Sequence, residues 1–321
     1  MKKYLATILA LMMSAFVLAG CGSETVSETV NVAVLNGPTG MGAVQLMDMT
    51  DKYNMETYEA PTDIAPKLIS GEVDVAALPS NMAAVLFNKT EGNVVAVSPV
   101  ALGVLYILGN DVSGEISDVA DLSGKTIVAS GQGGTPEYAL QKILENAGLK
   151  LGEDVNVEWL ASHADVNQTM LSQPGTIAMV PEPFVSAAQA ASENVKVCFD
   201  MNSLWQEATG EEFPMGVLVA TKDFVENRSG DLEILLEDWK ASVEFVNTAS
   251  DEAAQLIVDK GFLGDETIAK AAIPGCSIVC YTAEETAEGT EMLKAFNQVM
   301  FDMNPEAVGG SLPGDELYYN K

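Results

Sequence analysis

Two stretches, Val34-Leu-Asn-Gly-Pro-Thr-Gly40 and Val128-Ala-Ser-Gly-Gln-Gly-Gly-Thr-Pro136, decide the fold of this chain. Each is the end of an apolar strand, followed by a glycine-rich turn and a helix. Further along each half, Asp74-Val-Ala-Ala-Leu-Pro-Ser-Asn81 and Ile177-Ala-Met-Val-Pro-Glu-Pro183 form a second matched pair in which a strand meets a proline and another helix. This repeated order predicts two similar α/β lobes rather than one large sheet.

Between these stretches, short apolar strands alternate with amphipathic helices. That alternation is typical of a parallel sheet covered on both faces. The pattern also predicts a helix over Ala43–Tyr53, and Ser98-Pro99 is expected to interrupt a strand.

The composition excludes several classes of protein. The 321 residues include 46 acidic and 16 basic residues, for a net charge of -30, and 48% of the chain is apolar. Such an apolar content rules out intrinsic disorder. The acidity and the single arginine, Arg228, argue against nucleic acid as a partner. The length suits two domains.

Residues 1–20 are predicted to be a lipoprotein signal peptide. Lys2 and Lys3 precede an apolar stretch over Leu5–Val17, and Leu18-Ala-Gly-Cys21 resembles the bacterial lipobox, in which Cys21 is lipidated. Residues 21–29 would be the lipid anchor and tether. An ordinary signal peptide with an incidental cysteine and a short transmembrane anchor are the alternatives.

The other cysteines and the single histidine give little support to a metal site. In an extended segment Cys276 and Cys280 would lie about 13 Å apart, too far for a disulfide, and a bridge from Cys198 stays open. With His163 alone and no paired CxxC motif, we expect no metal and no cofactor.

The four turns are candidates for binding a ligand. In open α/β sheets, ligands bind beyond the carboxyl ends of the strands, where free N–H groups at helix N-termini hold electron-rich atoms. Each turn taken alone is also explained by helix capping. Because they occur as matched pairs, a shared cleft is favoured. The side chains that can cap a helix or donate a hydrogen bond to a ligand there are Thr39, Ser80, Asn81, Ser130 and Thr135.

Enzyme motifs are missing from the sequence. Gly131-Gln-Gly-Gly134 lacks the Lys-Ser/Thr of a P-loop, and no Gly-x-Ser-x-Gly elbow or His-Glu-x-x-His set occurs. A polar histidine in Ala161-Ser-His-Ala-Asp165 is interpreted as a loop or cap residue. We therefore predict that the protein has no catalytic residues and is not an enzyme.

Five motifs resemble those of the ABC-transporter substrate-binding lipoproteins, and most closely the thiamine-pyrimidine, alkanesulfonate and nitrate binders. The resemblance extends from about Val30 to the C-terminus. Its motifs are Gly71-Glu-Val-Asp-Val-Ala-Ala-Leu-Pro79, Asp121-Leu-Ser-Gly-Lys-Thr-Ile127, Gly133-Gly-Thr-Pro-Glu-Tyr138, Leu144-Glu-Asn-Ala-Gly-Leu149 and Pro181-Glu-Pro-Phe184.

This resemblance implies a type II periplasmic-binding-protein fold, with two α/β lobes joined by two hinge crossings near Leu102–Leu108 and Phe213–Leu218. Lobe I would comprise residues 30–104 and 216–321, and lobe II residues 105–215. Closure around a small-molecule ligand would let a lipid-anchored monomer on the outer face of the cell membrane dock on an ABC permease and its ATPase.

The predicted ligand-binding residues lie in the four turns. No lysine or arginine occurs there, so a neutral or cationic aminopyrimidine-like heterocycle is favoured over a sulfonate or nitrate oxyanion. Glu182 would accept from an amino group, or would simply complement a helix dipole. Tyr106 and Trp205 are further aromatic candidates. The predicted set is Asn36, Gly37, Thr39, Met41, Ser80, Asn81, Ser130, Gly133, Thr135, Glu182 and Phe184.

Two alternatives from other classes stay open. Related folds host enzymes of pyrimidine or menaquinone-precursor biosynthesis, although the lipobox argues against a tethered enzyme. A surface receptor or adhesin is the second alternative.

Overall fold

Two five-stranded sheets organise the protein in a computed structural model that describes residues 25–321. The predicted signal peptide and Cys21 lie outside the described residues. The strands of the first sheet are β1 (Val30–Leu35), β2 (Tyr53–Tyr58), β3 (Val75–Pro79), β4 (Val94–Ala101) and β10 (Gly216–Thr221). The strands of the second are β5 (Leu105–Asn110), β6 (Thr126–Ala129), β7 (Asn156–Trp159), β8 (Ile177–Pro181) and β9 (Val195–Asp200).

Helices cover both sheets. Before the second sheet they are α1 (Pro38–Met41), α2 (Pro61–Ser70) and α3 (Ser80–Lys89). Those that follow strands of the second sheet are α4 (Thr135–Asn146), α5 (His163–Ser172), α6 (Phe184–Ala191) and α7 (Met201–Thr209). The C-terminal helices are α8 (Lys222–Asn227), α9 (Ser229–Asn247), α10 (Asp251–Asp259), α11 (Glu266–Ala272) and α12 (Thr286–Met303). None of the helices within residues 25–321 is long and apolar enough to cross a membrane.

The two sheets have equivalent strand orders, β2-β1-β3-β10-β4 and β7-β6-β8-β5-β9. The predicted internal repeat is therefore present: β1 corresponds to β6, and β3 to β8. The prediction of two α/β lobes joined by two crossings is confirmed. The chain leaves the first sheet after β4 and enters β5 through residues 102–104. It returns after α7, through residues 210–215, to β10 of the first sheet.

Both sheets contain the parallel strands that the alternation indicated, and each also contains antiparallel strands, which the alternation did not predict. Strand β10 runs antiparallel to β3 and β4, and β5 runs antiparallel to β8 and β9. The crossings explain this direction. Gly216 pairs with Pro79, the last residue of β3, and Leu105 pairs with Pro181, the last residue of β8. Each crossing strand thus enters its sheet at the edge where the parallel strands end.

Two local predictions are wrong. Instead of a helix over Ala43–Tyr53 the chain makes a turn and a short 3-10 helix at Leu46–Asp48. Residues 40–44 are all buried, so packing on every side fixes this segment and no amphipathic helical face forms. Ser98-Pro99 does not interrupt β4, because register shifts against β10 accommodate the proline, which lacks an N–H donor.

An aromatic cluster packs the two lobes together beside the crossings. Trp205 of α7 stacks on Phe213, with ring centroids 4.7 Å apart, and lies 6.0 Å from Phe296 of the C-terminal helix α12. All three side chains are fully buried. Trp205, an aromatic candidate for the binding site, is therefore a core residue at the hinge.

Candidate functional site

The turns after β1, β6 and β8 meet at one cavity between the lobes. Its volume is about 490 Å³. The first lobe contributes the turn after β1, the end of β2 and the segment after α10. The second lobe contributes the turn after β6, the start of α5 and the start of α6. We call this space the interlobe cavity; it is lined by Asn36, Gly37, Glu59, Ser130, Gly131, Ala161, Ser162, His163, Ala164, Pro183, Phe184, Ala187, Phe262 and Leu263.

Four of the predicted binding residues line this cavity: Asn36, Gly37, Ser130 and Phe184. Gly37 has a φ of 147°, a conformation that glycine adopts without strain, and it forms the N-cap of α1. Asn36 Nδ2 donates to Glu59 Oε1 at 3.2 Å. The helix-starting turns therefore bring backbone and side-chain polar groups of both lobes to one space.

The turn from β3 into α3, at Pro79 and Ser80, meets the second lobe at a different point. Asn81 Nδ2 donates to the carbonyl of Ala307 at 3.1 Å, and Asn81 Oδ1 accepts from Thr135 Oγ1 at 3.2 Å. Both side chains are buried. Asn81 and Thr135, predicted to bind ligand, thus bind each other across the lobe boundary.

Four other predicted residues lie away from the cavity lining. Met41 is fully buried in the core of the first lobe, and the Ser80 hydroxyl is buried without a hydrogen-bond partner. Gly133 donates its N–H to Glu137 Oε2 at 2.6 Å. The methyl group of Thr39 packs against Gly216. A Cβ added to Gly216 would lie 2.6 Å from the Cγ2 atom of Thr39. Their roles in binding stay predictions.

Glu182 borders a second cavity of about 660 Å³, between α6 and α11. Its carboxylate accepts from the N–H of Ser186 at 3.1 Å and from the Ser186 hydroxyl at 2.9 Å. Burial raises the pKa of Glu182, while the bonds from Ser186 act in the opposite direction. This second cavity is larger, but only one predicted residue lines it, and the carboxylate of that residue already accepts hydrogen bonds from the first turn of the following helix, α6.

His163 also lines the cavity, although it was not among the predicted binding residues. It is the first residue of α5, whose N-cap is Ser162, and its Nδ1 lies 2.6 Å from Ser130 Oγ. Burial lowers the pKa of His163 to about 4, so the imidazole is neutral at pH 7. The internal repeat could have indicated this position. Strand β7 is the equivalent of β2, and Glu59, which follows β2, lines the cavity as well.

Charge in the interlobe cavity is confined to one carboxylate. No lysine or arginine lines it in the described part of the chain, and Glu59 is its single acidic residue. Phe184 and Phe262 add apolar surface, and the Phe184 ring lies 5.7 Å from the His163 ring. The same stretch, residues 25–321, holds no group of three or more His, Cys, Asp or Glu able to bind a metal ion.

The sequence of this chain matches one known protein family over most of its length. The family described as "Menaquinone biosynthesis" matches residues 46–271, more than half of the chain. The chain belongs to this family. No curated protein matches the sequence.

Solved structures place this member of the family in a well-populated fold. An ABC transporter protein from Parabacteroides distasonis superposes with a TM-score of 0.77 at 21% identity, covering 92% of this chain and 100% of that one. The periplasmic aliphatic sulphonate binding protein SsuA from Escherichia coli gives 0.69 at 18% identity, covering 88% and 96%. The alkanesulfonate-binding protein SsuA from Xanthomonas axonopodis pv. citri, bound to MOPS, gives 0.66 at 13% identity, covering 93% and 100%. The predicted periplasmic-binding-protein fold is confirmed.

Proposed function

We propose that this protein is the solute-binding component of an ABC importer and that it captures a small organic molecule between its lobes. Lobe I comprises residues 30–104 and 216–321, and lobe II residues 105–215. The observation that carries the proposal is the interlobe cavity, which is lined by residues of both lobes beside two short crossings. A ligand that contacts both lobes stabilises the closed arrangement by its differential affinity, and a permease can recognise that arrangement.

The lining favours a planar neutral or cationic heterocycle over an oxyanion. Glu59 supplies a hydrogen-bond acceptor and attracts positive charge, whereas no basic side chain of residues 25–321 lines the cavity to balance a sulfonate or nitrate. Phe184 and Phe262 offer apolar faces to a ring. A volume of about 490 Å³ suits a small ligand.

A thermal-shift screen tests this proposal. The protein is mixed with a metabolite library that includes aminopyrimidines, amines, alkanesulfonates and nitrate. A ligand present at about a hundred times its Kd should stabilise the folded state by about 2.7 kcal/mol. Stabilisation by sulfonates or nitrate alone would contradict the heterocycle class and support the oxyanion alternative. A screen in which no small molecule stabilises the protein would contradict the solute-binding function.

The Leu18-Ala-Gly-Cys21 motif supports a lipid anchor on the extracytoplasmic face of the membrane. Two acyl chains on Cys21 would give stable attachment, which one chain does not. Expression of the full chain and of the Cys21→Ser variant in bacteria, followed by membrane fractionation and intact mass measurement, tests this. Wild-type protein should sediment with membranes and carry the lipid mass, and the variant should do neither.

An enzyme is the second candidate, favoured by two observations. The family is described by a biosynthetic pathway, and the cavity holds a serine hydroxyl 2.6 Å from an imidazole nitrogen. Such a pair can move a proton to or from a bound molecule. Each stabilising compound is therefore incubated with the protein and analysed by mass spectrometry. A solute-binding protein returns the compound unchanged, and time-dependent conversion would establish the enzyme instead.

A further inference from the structure

The Ser130–His163 pair has a buried end and an open end. Ser130 directly follows β6 and is buried, with 3% of its surface exposed. His163 begins α5 and is half-buried, because part of its ring borders the interlobe cavity. The 2.6 Å contact between Ser130 Oγ and His163 Nδ1 joins the two ends.

The buried end determines which ring nitrogen carries the hydrogen. A neutral imidazole has one donor and one acceptor nitrogen. Ser130 is 3% exposed and its Oγ has no other hydrogen-bond partner among residues 25–321, so accepting from Nδ1 would leave the hydroxyl hydrogen without a partner in the protein. An unpaired buried donor is costly, whereas a serine oxygen that only donates loses little. The arrangement that avoids this cost has Ser130 donating to Nδ1 and the imidazole hydrogen on Nε2.

The open end faces the cavity. His163 Nε2 bonds to no described residue and is not one of the buried polar atoms without a partner, so it is exposed, and His163 lines the cavity. Neither nearby carboxylate bonds to the ring. Asp165 on the same helix accepts from the Ser162 hydroxyl at 2.7 Å, and Glu59 of the first lobe is exposed at the cavity wall and accepts from Asn36. The positive end of the α5 dipole also disfavours an imidazolium at its first residue.

We propose that His163 is a ligand-binding residue that presents its Nε2–H as a hydrogen-bond donor to the solute, in an orientation fixed by Ser130. This inference rests on the proposed solute-binding function and narrows its ligand class. The solute is a planar heterocycle with a hydrogen-bond acceptor towards His163 and a donor towards Glu59 in the opposite lobe. Contacts to both lobes make these two bonds contribute to closure.

Nuclear magnetic resonance of the ligand-free protein tests the donor. Since His163 is the only histidine of the chain, nitrogen-15 labelling of histidine gives one imidazole spin system and needs no assignment variant. We expect the Nε2–H tautomer at neutral pH, and in Ser130→Ala a mixture of tautomers. The Nδ1–H tautomer in wild-type protein would overturn the inference, whatever the protein binds.

Cytosine, a planar aminopyrimidine with ring acceptors and an amino donor, is the probe for the contact. Its titration should stabilise the protein and shift the Nε2 signal. The side-chain amide of His163→Gln places an N–H near the position of Nε2, whereas that of His163→Asn reaches only the position of Nδ1. His163→Asn should therefore weaken cytosine binding by about tenfold or more, and His163→Gln by clearly less.

The cytosine titration tests the His163 contact separately from solute binding itself. Cytosine that stabilises the protein without moving the Nε2 signal, and binds His163→Asn as well as wild type, would overturn the contact while leaving solute binding intact. No stabilisation by cytosine would overturn the solute class assigned here. Whether the protein binds any solute is then decided by the library screen described above.

Discussion

Thr135 Oγ1 donates a hydrogen bond to Asn81 Oδ1 at 3.2 Å, across the boundary between the two lobes. Thr135 begins α4 of the second lobe, and Asn81 lies in the first turn of α3 in the first lobe. A second bond, from Asn304 Nδ2 to the Tyr138 hydroxyl at 3.0 Å, joins the same helix α4 to the segment after α12. The first turn of α4 is thus held to the first lobe by two polar side chains.

Replacing Thr135 by valine should weaken this attachment. The side-chain shape is kept, but Asn81 Oδ1 is left buried without its donor, which costs about 1–3 kcal/mol. We expect urea denaturation to show that loss and small-angle scattering to show a larger radius of gyration. Thr57→Val, on an exposed position of β2, is the matched control and should change stability by less than about 0.5 kcal/mol. Equal stability of the two variants would contradict a role for this bond.

Gly275 of the first lobe lies close to Glu182 and Tyr106 of the second lobe. A Cβ added there would lie 2.9 Å from Glu182 Cγ and 3.2 Å from the Tyr106 hydroxyl, which also donates to the Gly275 carbonyl at 3.3 Å. Gly275→Ala should therefore push the lobes apart and destabilise the protein by about 1–3 kcal/mol. Gly230→Ala, in helix α9 with no atom within 4 Å of the added Cβ, should be neutral or stabilising. Denaturation and scattering measure both effects, and an unchanged Gly275→Ala variant would contradict them.

The stability of the protein should fall with acid through His163. Burial depresses the pKa of His163 to about 4, whereas in the unfolded chain it is about 6.5. The unfolded state therefore binds a proton first. The stabilisation by the neutral form is complete above pH 6.5 and is lost as pH falls towards 4, by about 3 kcal/mol in total.

The matched variant for this prediction is His163→Gln, which cannot titrate in that range. Denaturation at several pH values gives the unfolding free energy of both proteins. The value for wild type minus the value for the variant should decrease from pH 7 to pH 4, because only the wild type loses the contribution of His163. A difference that stays constant with pH would show that His163 titrates alike in both states.

Arg228 fixes the N-terminal segment to the first lobe. Its Nε donates to Asp231 Oδ2 at 2.8 Å, and Asp231 accepts from the backbone N–H and the hydroxyl of Ser27, each at 2.7 Å. The guanidinium also donates to the Glu28 carbonyl. Arg228→Lys keeps the charge but loses the forked geometry, so hydrogen exchange of the Ser27 amide should quicken. Lys150→Ala, which removes an exposed pair with Glu153, should leave that amide unchanged.

Much of the fold was predictable from the sequence because it depends on local chemistry. Apolar runs that end in a glycine or proline, such as Val34–Gly40 and Val128–Pro136, require a strand, a turn and a helix start, and these elements are present. The repetition of that order established two lobes. The segment around Ala43 could not be predicted in this way, because its conformation depends on packing against distant residues of α9 and against Ile278.

The sequence by itself determined the lobes, their helix-starting turns and the absence of basic side chains from those turns, since all three follow from residue order alone. Only the tertiary structure decided which turns meet. It paired Asn81 with Thr135, buried Met41 and Trp205 in the core, and brought His163 to Ser130. The reason is physical: the two hydrogen-bonded pairs join residues 54 and 33 positions apart, and their distances depend on how the sheets and lobes pack rather than on any local preference.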